Sequence, residues 1–305
     1  MRAAFAMLCA AFVATLPVAA AAATGEYVTF PSLDIDPRTG APVELSGLFF
    51  TPDPSAGGFP AVVALHGCNG MYSTLANRRG KLSGRHQAMA DLLVAEGYAV
   101  LFPDSFNPRG RREVCTQPLR EQTITQANRR LDAFGAREYL RSRPDIAANR
   151  VALVGWSHGG SAVLAAMNAR QPNVVVYLRA LGDPAEFFLT AIAFYPGCYA
   201  SLRSKDGYAP AAPVSVFIGE ADDWTSPKPC IALGKAMDAK RLPMYVRTYP
   251  DTHHGFDTPN LLRPRHLDAP NGVRQGEGVT IAGNAAARED AYGRMKAQLR
   301  AALMP

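Results

Sequence analysis

Beyond its first 23 residues, the 305-residue sequence has no apolar run long enough to cross a bilayer, no internal repeat and no low-complexity linker. It also lacks an H-E-x-x-H motif and closely spaced cysteine pairs, which are common signatures of zinc sites. The formal net charge is only +6, and the basic residues are scattered apart from those at 109–112, with no nucleic-acid-binding motif beside them. These absences argue against a membrane-embedded, zinc-dependent or nucleic-acid-binding protein.

The first 23 residues differ from the rest of the chain. Arg2 supplies a positive start, residues 3–18 are apolar and uncharged, and residues 19–23 are all alanine. This pattern is typical of a cleaved signal peptide, so the mature chain is predicted to begin near Thr24. No cysteine ends the apolar run, which argues against a lipoprotein anchor. The sequence therefore predicts an exported protein, periplasmic or secreted, without a stable membrane anchor.

Cysteine is scarce, with five in the whole sequence and one of them inside the predicted signal peptide. The remaining cysteines are Cys68, Cys115, Cys198 and Cys230. An even number in an oxidising compartment predicts two disulfides, with three possible pairings that the sequence does not distinguish. Four inert buried thiols are the alternative.

The mature chain is rich enough in apolar residues to bury a large core, since the sequence is 48% hydrophobic and 19% charged. Short apolar strands alternate with helical segments, which predicts an α/β fold with a mostly parallel sheet covered by helices on both faces, in one domain over residues 24–305. The predicted strands cover residues 27–30, 43–50, 61–65, 99–102, 151–154, 191–195, 214–218 and 245–249. The predicted helices cover residues 86–96, 123–141, 161–167, 229–239 and 285–303, and residues 174–188 are ambiguous.

The motif Gly155-Trp156-Ser157-His158-Gly159 joins the buried strand at 151–154 to the apolar helix at 161–167. It fits the G-x-S-x-G pattern, in which a serine occupies a sharp strand-to-helix turn. The pattern alone occurs by chance, but the flanking strand and helix are the context expected of a nucleophile elbow. Ser157 is therefore the predicted nucleophile.

An acid and a histidine follow Ser157 at the ends of later strands. Ligands of parallel α/β sheets bind beyond the carboxyl ends of the strands, where Asp222 and His254 are expected. The order serine, acid, histidine is that of the α/β hydrolases, in which the acid orients the base and the base activates the nucleophile. The sequence therefore predicts a Ser157–His254–Asp222 triad.

Each partner has an adjacent alternative. Asp222 is preferred to Asp223 because the Gly219-x-x-Asp222 spacing places it at the tip of a turn, where Asp223 is expected to cap the turn or face water. His254 is preferred to His253 because His254-Gly255-Phe256 lies in the loop after the last strand, where His253 could be an exposed neighbour.

The histidine pair also permits a metal-site interpretation, with Asp251 or Asp257 as a further ligand. Adjacent histidines in an extended loop cannot easily share one ion, and the zinc motifs are absent. Neither a metal nor a cofactor is therefore expected.

An oxyanion hole needs two backbone N–H donors. His158, the residue after the nucleophile, is predicted to supply one, and Cys68 in the loop after the strand at 61–65 is predicted to supply the other. The residues predicted to contact the substrate are His66, Asp104, Arg109, Arg111, Trp156 and Trp224. Arg109 and Arg111, with Arg112, could attract an anionic substrate, or they could be solvated loop charges.

The three motifs around Ser157, Asp222 and His254 together resemble the dienelactone hydrolase family of the α/β-hydrolase fold, over roughly residues 43–303. The resemblance implies the Ser157/Asp222/His254 triad and an oxyanion hole formed by the N–H groups of Cys68 and His158. The enzymes that give the family its name use a cysteine nucleophile. Ser157 in its place favours a general carboxylester hydrolase over an enzyme specific for dienelactone.

Within this resemblance, the four mature cysteines suit an exported branch of the family. Cys68 and Cys115 are expected on loops at the catalytic edge, and Cys198 and Cys230 are expected on neighbouring strands, so the predicted disulfides are Cys68–Cys115 and Cys198–Cys230.

The leading hypothesis is a serine esterase that cleaves a small-molecule ester or lactone through an acyl-enzyme. An exported peptidase or acyltransferase of the same fold is the nearest alternative. A non-catalytic binding protein is an alternative of a different class. The sequence makes no prediction of the oligomeric state.

Overall fold

The computed structural model describes residues 22–52, 57–259, 261 and 265–304. The predicted signal peptide lies outside this part of the chain, except for its last two residues. Among the described helices, none combines the length and the apolar character needed to span a membrane.

A mixed sheet of eight strands forms the centre of the molecule, in the order β1-β2-β4-β3-β5-β6-β7-β8. The first two strands pair antiparallel, β2 pairs antiparallel with β4, and all later neighbours are parallel. The strands are β1 (Glu26–Ile35), β2 (Pro42–Phe50), β3 (Phe59–Leu65), β4 (Ala99–Asp104), β5 (Ile146–Trp156), β6 (Thr190–Phe194), β7 (Val214–Gly219) and β8 (Met244–Tyr249). The predicted α/β class with a mostly parallel sheet is confirmed.

Helices connect the parallel strands. They are α1 (Gly84–Ala95), α2 (Gln126–Ser142), α3 (His158–Met167), α4 (Pro172–Leu181), α5 (Tyr199–Leu202), α6 (Pro227–Asp238) and α7 (Ala285–Leu303). The ambiguous stretch at 174–188 contains α4 and a single helical turn at Pro184–Glu186. A small hairpin of β9 (Arg265–His266) and β10 (Val279–Thr280), which the sequence did not indicate, lies outside the main sheet.

The antiparallel edge of the sheet is half-exposed, whereas the central strands are buried on both faces. The antiparallel strand β1 alternates exposed and buried residues, whereas β4, β6 and β7 are buried throughout, as parallel strands covered on both faces are. The ring of Trp156 stacks between those of Phe102 and Phe194, with centroids 6.3 and 5.7 Å away. This buried aromatic row anchors the end of β5, where the nucleophile turn begins.

Two disulfides join loops to neighbouring elements. Cys68 bonds to Cys115, which joins the loop after β3 to the loop after β4, and Cys198 bonds to Cys230 on α6. These are the two pairs that the resemblance implied, but the expected positions of the second pair on neighbouring strands are wrong: Cys198 lies in the loop after β6 and Cys230 lies on α6. The first disulfide fixes the loop that carries a predicted oxyanion donor.

Candidate active site

Ser157 occupies the turn between β5 and α3 with a backbone that a non-glycine residue rarely adopts. Its φ is +52° and its ψ is −117°, and its N–H donates to the carbonyl of Phe194 at 2.9 Å. A Cβ at Gly155 would lie 2.5 Å from the carbonyl oxygen of Gly159, and one at Gly159 would lie 2.1 Å from that of Leu65. Both glycines of the motif are therefore required by close backbone approach.

Ser157, His254 and Asp222 meet at the carboxyl edge of the sheet. The Nε2 atom of His254 is 3.0 Å from the hydroxyl oxygen of Ser157, and its Nδ1 atom is 2.9 Å from Oδ2 of Asp222. The acid and the histidine are 4% and 3% exposed, so water hardly competes for these contacts. This geometry can pass a proton from the hydroxyl to the imidazole while the carboxylate holds the ring.

Asp222 is held in turn by the residues that follow it. Its Oδ1 accepts from the backbone N–H groups of Trp224 and Thr225, at 2.9 and 2.7 Å. The hydroxyl of Thr225 is 2.9 Å from Oδ2 of Asp222 and 3.0 Å from the carbonyl oxygen of Tyr195. Sequence reasoning missed Thr225, although an aspartate followed three residues later by threonine is a common turn pattern that could have indicated it.

The two alternative residues do not line the cleft that contains Ser157. The carboxylate of Asp223 accepts from the backbone N–H and the hydroxyl of Thr280, at 2.7 and 2.9 Å. His253 is half-buried, and its Nδ1 has no hydrogen-bond partner among the described residues. No group of three His, Cys, Asp or Glu side chains in the described part of the chain is arranged to hold a metal ion.

The predicted oxyanion donors lie on either side of Ser157. His158 is the first residue of α3, where a backbone N–H has no partner within the helix. Cys68 follows Gly67, whose position is 3.7 Å from the Ser157 side chain when a Cβ is added to it. The disulfide to Cys115 and a hydrogen bond of 2.9 Å from Val114 N–H to the Cys68 carbonyl hold this loop in place.

An open cleft of about 1410 Å³ leads to the serine. Its lining includes Ser157, His254, Met71, Tyr72, Arg85 and Leu261. Two predicted substrate contacts, Asp104 and Trp224, also line it. Asp104 is 1% exposed and accepts hydrogen bonds from the backbone of Phe106 and Asn107, whereas the indole of Trp224 lies 4.9 Å from the His254 ring.

The other predicted substrate contacts do not line the cleft. Trp156 and His66 are fully buried behind it, because Trp156 ends the core strand β5 and His66 directly follows the core strand β3. Arg109 is bound by two carboxylates, those of Asp34 and Asp132, at 2.8 and 2.7 Å. Arg111 is exposed to solvent outside the cleft lining, and Arg112 is the arginine of this loop that lines the cleft.

Arg85, Tyr195 and Asp257 form a polar cluster beside the triad that the sequence did not reveal. The Arg85 guanidinium donates to the Tyr195 hydroxyl, which donates to Oδ1 of Asp257 at 2.6 Å. Tyr195 has a positive φ of 37°, and its ring packs edge-on against His254 at 4.5 Å. Burial raises the pKa of this hydroxyl, so it remains protonated. The three residues belong to separate segments and to no common motif.

The folds of several hydrolases match this chain over nearly its whole length. One is a dienelactone hydrolase-like promiscuous phosphotriesterase from metagenomic libraries, 16% identical, with a TM-score of 0.60 over 92% of this chain and 99% of the other. Another is esterase 2 of Thermogutta terrifontis, 14% identical, with a TM-score of 0.58 over 92% and 96%. A third is a thermostable carboxylesterase from a metagenomic library, 16% identical, with a TM-score of 0.57 over 94% and 92%.

At these identities the structural matches show a shared fold. No curated protein sequence matches the chain. The model of the dienelactone hydrolase family matches residues 45–303, which is most of the sequence and includes every residue of the triad. The chain therefore belongs to the dienelactone hydrolase family, and it is a carboxylic ester hydrolase with the α/β-hydrolase fold.

Proposed function

We propose that the protein is a serine hydrolase that cleaves carboxylic esters or lactones through an acyl-enzyme. The observation that carries this proposal is the unbroken chain of contacts from Ser157 Oγ to His254 Nε2 and from His254 Nδ1 to Asp222, at 3.0 and 2.9 Å. A serine hydroxyl needs such a base and such an orienting carboxylate to act as a nucleophile at neutral pH.

In the acylation step, Oγ of Ser157 attacks the ester carbonyl while its proton passes to Nε2 of His254. The negative charge moves to the former carbonyl oxygen, which the N–H groups of Cys68 and His158 stabilise. Such donors contribute about 3–4 kcal/mol to lowering the barrier. Collapse of the tetrahedral intermediate expels the alkoxide, which takes the proton from His254 and leaves as the alcohol.

In the deacylation step, His254 takes a proton from water as the water oxygen attacks the acyl-enzyme. A second tetrahedral intermediate forms in the same oxyanion hole. It collapses with return of the proton to Ser157 and release of the carboxylic acid. Asp222 holds the imidazole in the tautomer that can accept at Nε2.

Labelling with a fluorophosphonate probe tests the nucleophile. We expect stoichiometric labelling of the wild-type protein and none of a Ser157→Ala variant. Ser215→Ala is a matched control, because Ser215 is also buried but hydrogen-bonds Gln298 at 2.6 Å, away from the cleft. Labelling that persists in Ser157→Ala would overturn the proposal by showing that another residue is the nucleophile. Absence of labelling from the wild type would overturn it in favour of a non-catalytic binding protein.

Turnover of a substrate panel separates the possible reactions. Aryl esters, lactones and acetylated sugars are expected to be hydrolysed with a Ser157-dependent kcat. Peptide amides and a phosphotriester test the alternatives of the same fold. An ester consumed faster with an added alcohol acceptor than with water would identify an acyltransferase instead.

We further propose that the protein is exported to the periplasm or secreted. Two disulfides support this inference, because such bonds persist in oxidising compartments. Amino-terminal sequencing of the protein expressed in its own host is expected to begin near Thr24. A protein that retains residues 1–23 and has free thiols would contradict export.

A further inference from the structure

Arg129 on α2 is a cation buried directly behind the proposed oxyanion hole. Its side chain is wholly inaccessible, and its Nε has no hydrogen-bond partner within the described residues. Asp132, the nearest acidic residue along the same helix, is bound to Arg109 instead, at 2.7 Å. Burying a charge without an ion-pair partner is costly, so the position calls for a compensating role.

The guanidinium bridges the two segments that carry the oxyanion donors. One terminal nitrogen donates to the carbonyl oxygen of His66 at 2.7 Å, and the other donates to Nδ1 of His158 at 2.9 Å. His66 lies two residues before Cys68, and His158 itself supplies the second donor. One side chain therefore contacts both arms of the hole, which come from separate elements of the fold.

The two histidines in this cluster are neutral. His158 accepts from Arg129 at Nδ1, so its proton is on Nε2, and burial lowers its pKa to about 3. His66 donates from Nδ1 to the carbonyl of Gly67 at 2.7 Å, and burial likewise lowers its pKa well below the ordinary value. The positive charge of the cluster is therefore on Arg129, whose pKa burial lowers only to about 9.

We propose that Arg129 is a positioning residue of the oxyanion hole: it fixes the 66–68 loop and the start of α3 relative to each other, and it places a positive charge behind the site where negative charge develops. This proposal rests on the proposed serine hydrolase function. Preorganised charge of this kind acts on the transition state and hardly on the neutral ester in the ground state. Its removal should therefore lower kcat with little change in KM.

The test is the kinetics of p-nitrophenyl acetate hydrolysis by Arg129→Met, with Arg130→Met as the matched control. Arg130 is the neighbouring residue of α2 and is also buried, at 7% exposure. We expect kcat of Arg129→Met to fall about 10- to 100-fold with KM within about threefold, and kcat of Arg130→Met to change less than about twofold. The affinity of phenylboronic acid, which forms a tetrahedral adduct with the serine, should fall in parallel with kcat.

A double-mutant cycle locates the effect. If Arg129 acts through the His158 side chain, the effects of Arg129→Met and His158→Ala on log kcat should add up to more than the effect of the double variant. If Arg129→Met does not fold, Arg129→Lys is measured in its place, because lysine keeps the charge but cannot bridge both segments. The kcat of Arg129→Lys is expected to be about 3- to 30-fold below that of the wild type.

Two results would overturn the proposal. One is a wild-type kcat in the variants with only a lowered melting temperature, which would make Arg129 purely structural. The other is an equal loss of kcat in Arg130→Met. Ser157→Ala in the same assay tests the proposed function itself. Turnover that does not depend on Ser157 would overturn both proposals, whereas Ser157-dependent turnover with either of the two results above would overturn only the role of Arg129.

Discussion

At the scale of single residues, two adjacent aspartates have different partners and should have different effects on catalysis. Asp222 accepts from His254 at 2.9 Å, whereas Asp223 accepts from Thr280 at 2.7 Å. We expect Asp222→Asn to lower kcat about 10⁴-fold, because the amide no longer favours the imidazole tautomer that accepts at Nε2. Asp223→Asn should change kcat less than about threefold, because Asp223 does not contact the imidazole. Steady-state kinetics with an aryl ester measures both, and comparable losses would refute the assignment of the acid.

Thr225 is the residue of this site whose contribution is easiest to isolate. Its hydroxyl lies 2.9 Å from the Asp222 carboxylate and 3.0 Å from the Tyr195 carbonyl. Thr225→Val keeps the shape and removes both contacts, so we expect kcat to fall about 10-fold, since a hydrogen bond to a charged group contributes about 1.5–3 kcal/mol. Thr248→Val is the control, because Thr248 bonds the exposed Glu220. A kcat loss in the control as large as in Thr225→Val would show that the effect is not specific to the triad.

At the scale of elements, the two disulfides should have similar effects on stability but different effects on turnover. They join cysteines separated by 47 and 32 residues, and loops of such lengths each stabilise the fold by about 4 kcal/mol in the chain-entropy model. Only Cys68–Cys115 holds the loop of a proposed oxyanion donor.

Double serine variants of each pair therefore separate stability from catalysis. Both should lower the melting temperature, but Cys68→Ser with Cys115→Ser should also lower kcat about 10-fold at a temperature where the protein remains folded. The pair Cys198→Ser with Cys230→Ser should retain kcat within about threefold, because that disulfide does not hold the loop of a proposed oxyanion donor. Thermal unfolding and kinetics on the same samples give both quantities. Equal kcat losses in the two double variants would mean that the effect on turnover is not specific to the loop of the proposed oxyanion donor.

Elements with a strong apolar pattern could be predicted from the sequence, whereas contacts between distant segments could not. The last helix was predicted at residues 285–303 and is observed as Ala285–Leu303. By contrast, β5 begins at Ile146, five residues before the predicted start, because Ile146 pairs with Phe59 at the beginning of β3, a contact between segments far apart in the sequence. The hairpin of β9 and β10 has two residues in each strand, too few for any period to show.

At the scale of the whole molecule, the parallel sheet explains why the candidate site could be located in advance. Every parallel strand ends at the same edge, so Ser157, Asp222 and His254, which each follow a strand, had to lie near one another. Arg129 and Arg85 come from the first turns of α2 and α1, where only packing brings a side chain to the site. Helix patterns indicate which face is buried, and they do not indicate which catalytic group a buried charge will contact.

Three buried histidines should make the stability of the whole fold sensitive to mild acid. Burial lowers the pKa of His86 and of His158 to about 3, and it lowers that of His66 well below its ordinary value. These groups stay neutral in the folded protein but bind protons near pH 6.5 once unfolded. Their contribution to stability is therefore complete above pH 6.5 and is lost as the pH falls towards 3. Carboxylates with a lowered pKa, such as Asp145 beside Arg143, lose their contribution to stability only near pH 4 and below.

His86 and His158 should therefore each reduce the free energy of unfolding by about 1 kcal/mol per pH unit between pH 6 and 4, and His66 acts in the same direction. Urea denaturation at a series of pH values measures this slope. His86→Gln should reduce this slope by about 1 kcal/mol per pH unit, because glutamine can still hydrogen-bond Ser83 and the Met71 carbonyl but does not titrate. A variant slope equal to that of the wild type would mean that His86 binds its proton equally in the folded and unfolded states, and that its burial does not limit acid stability.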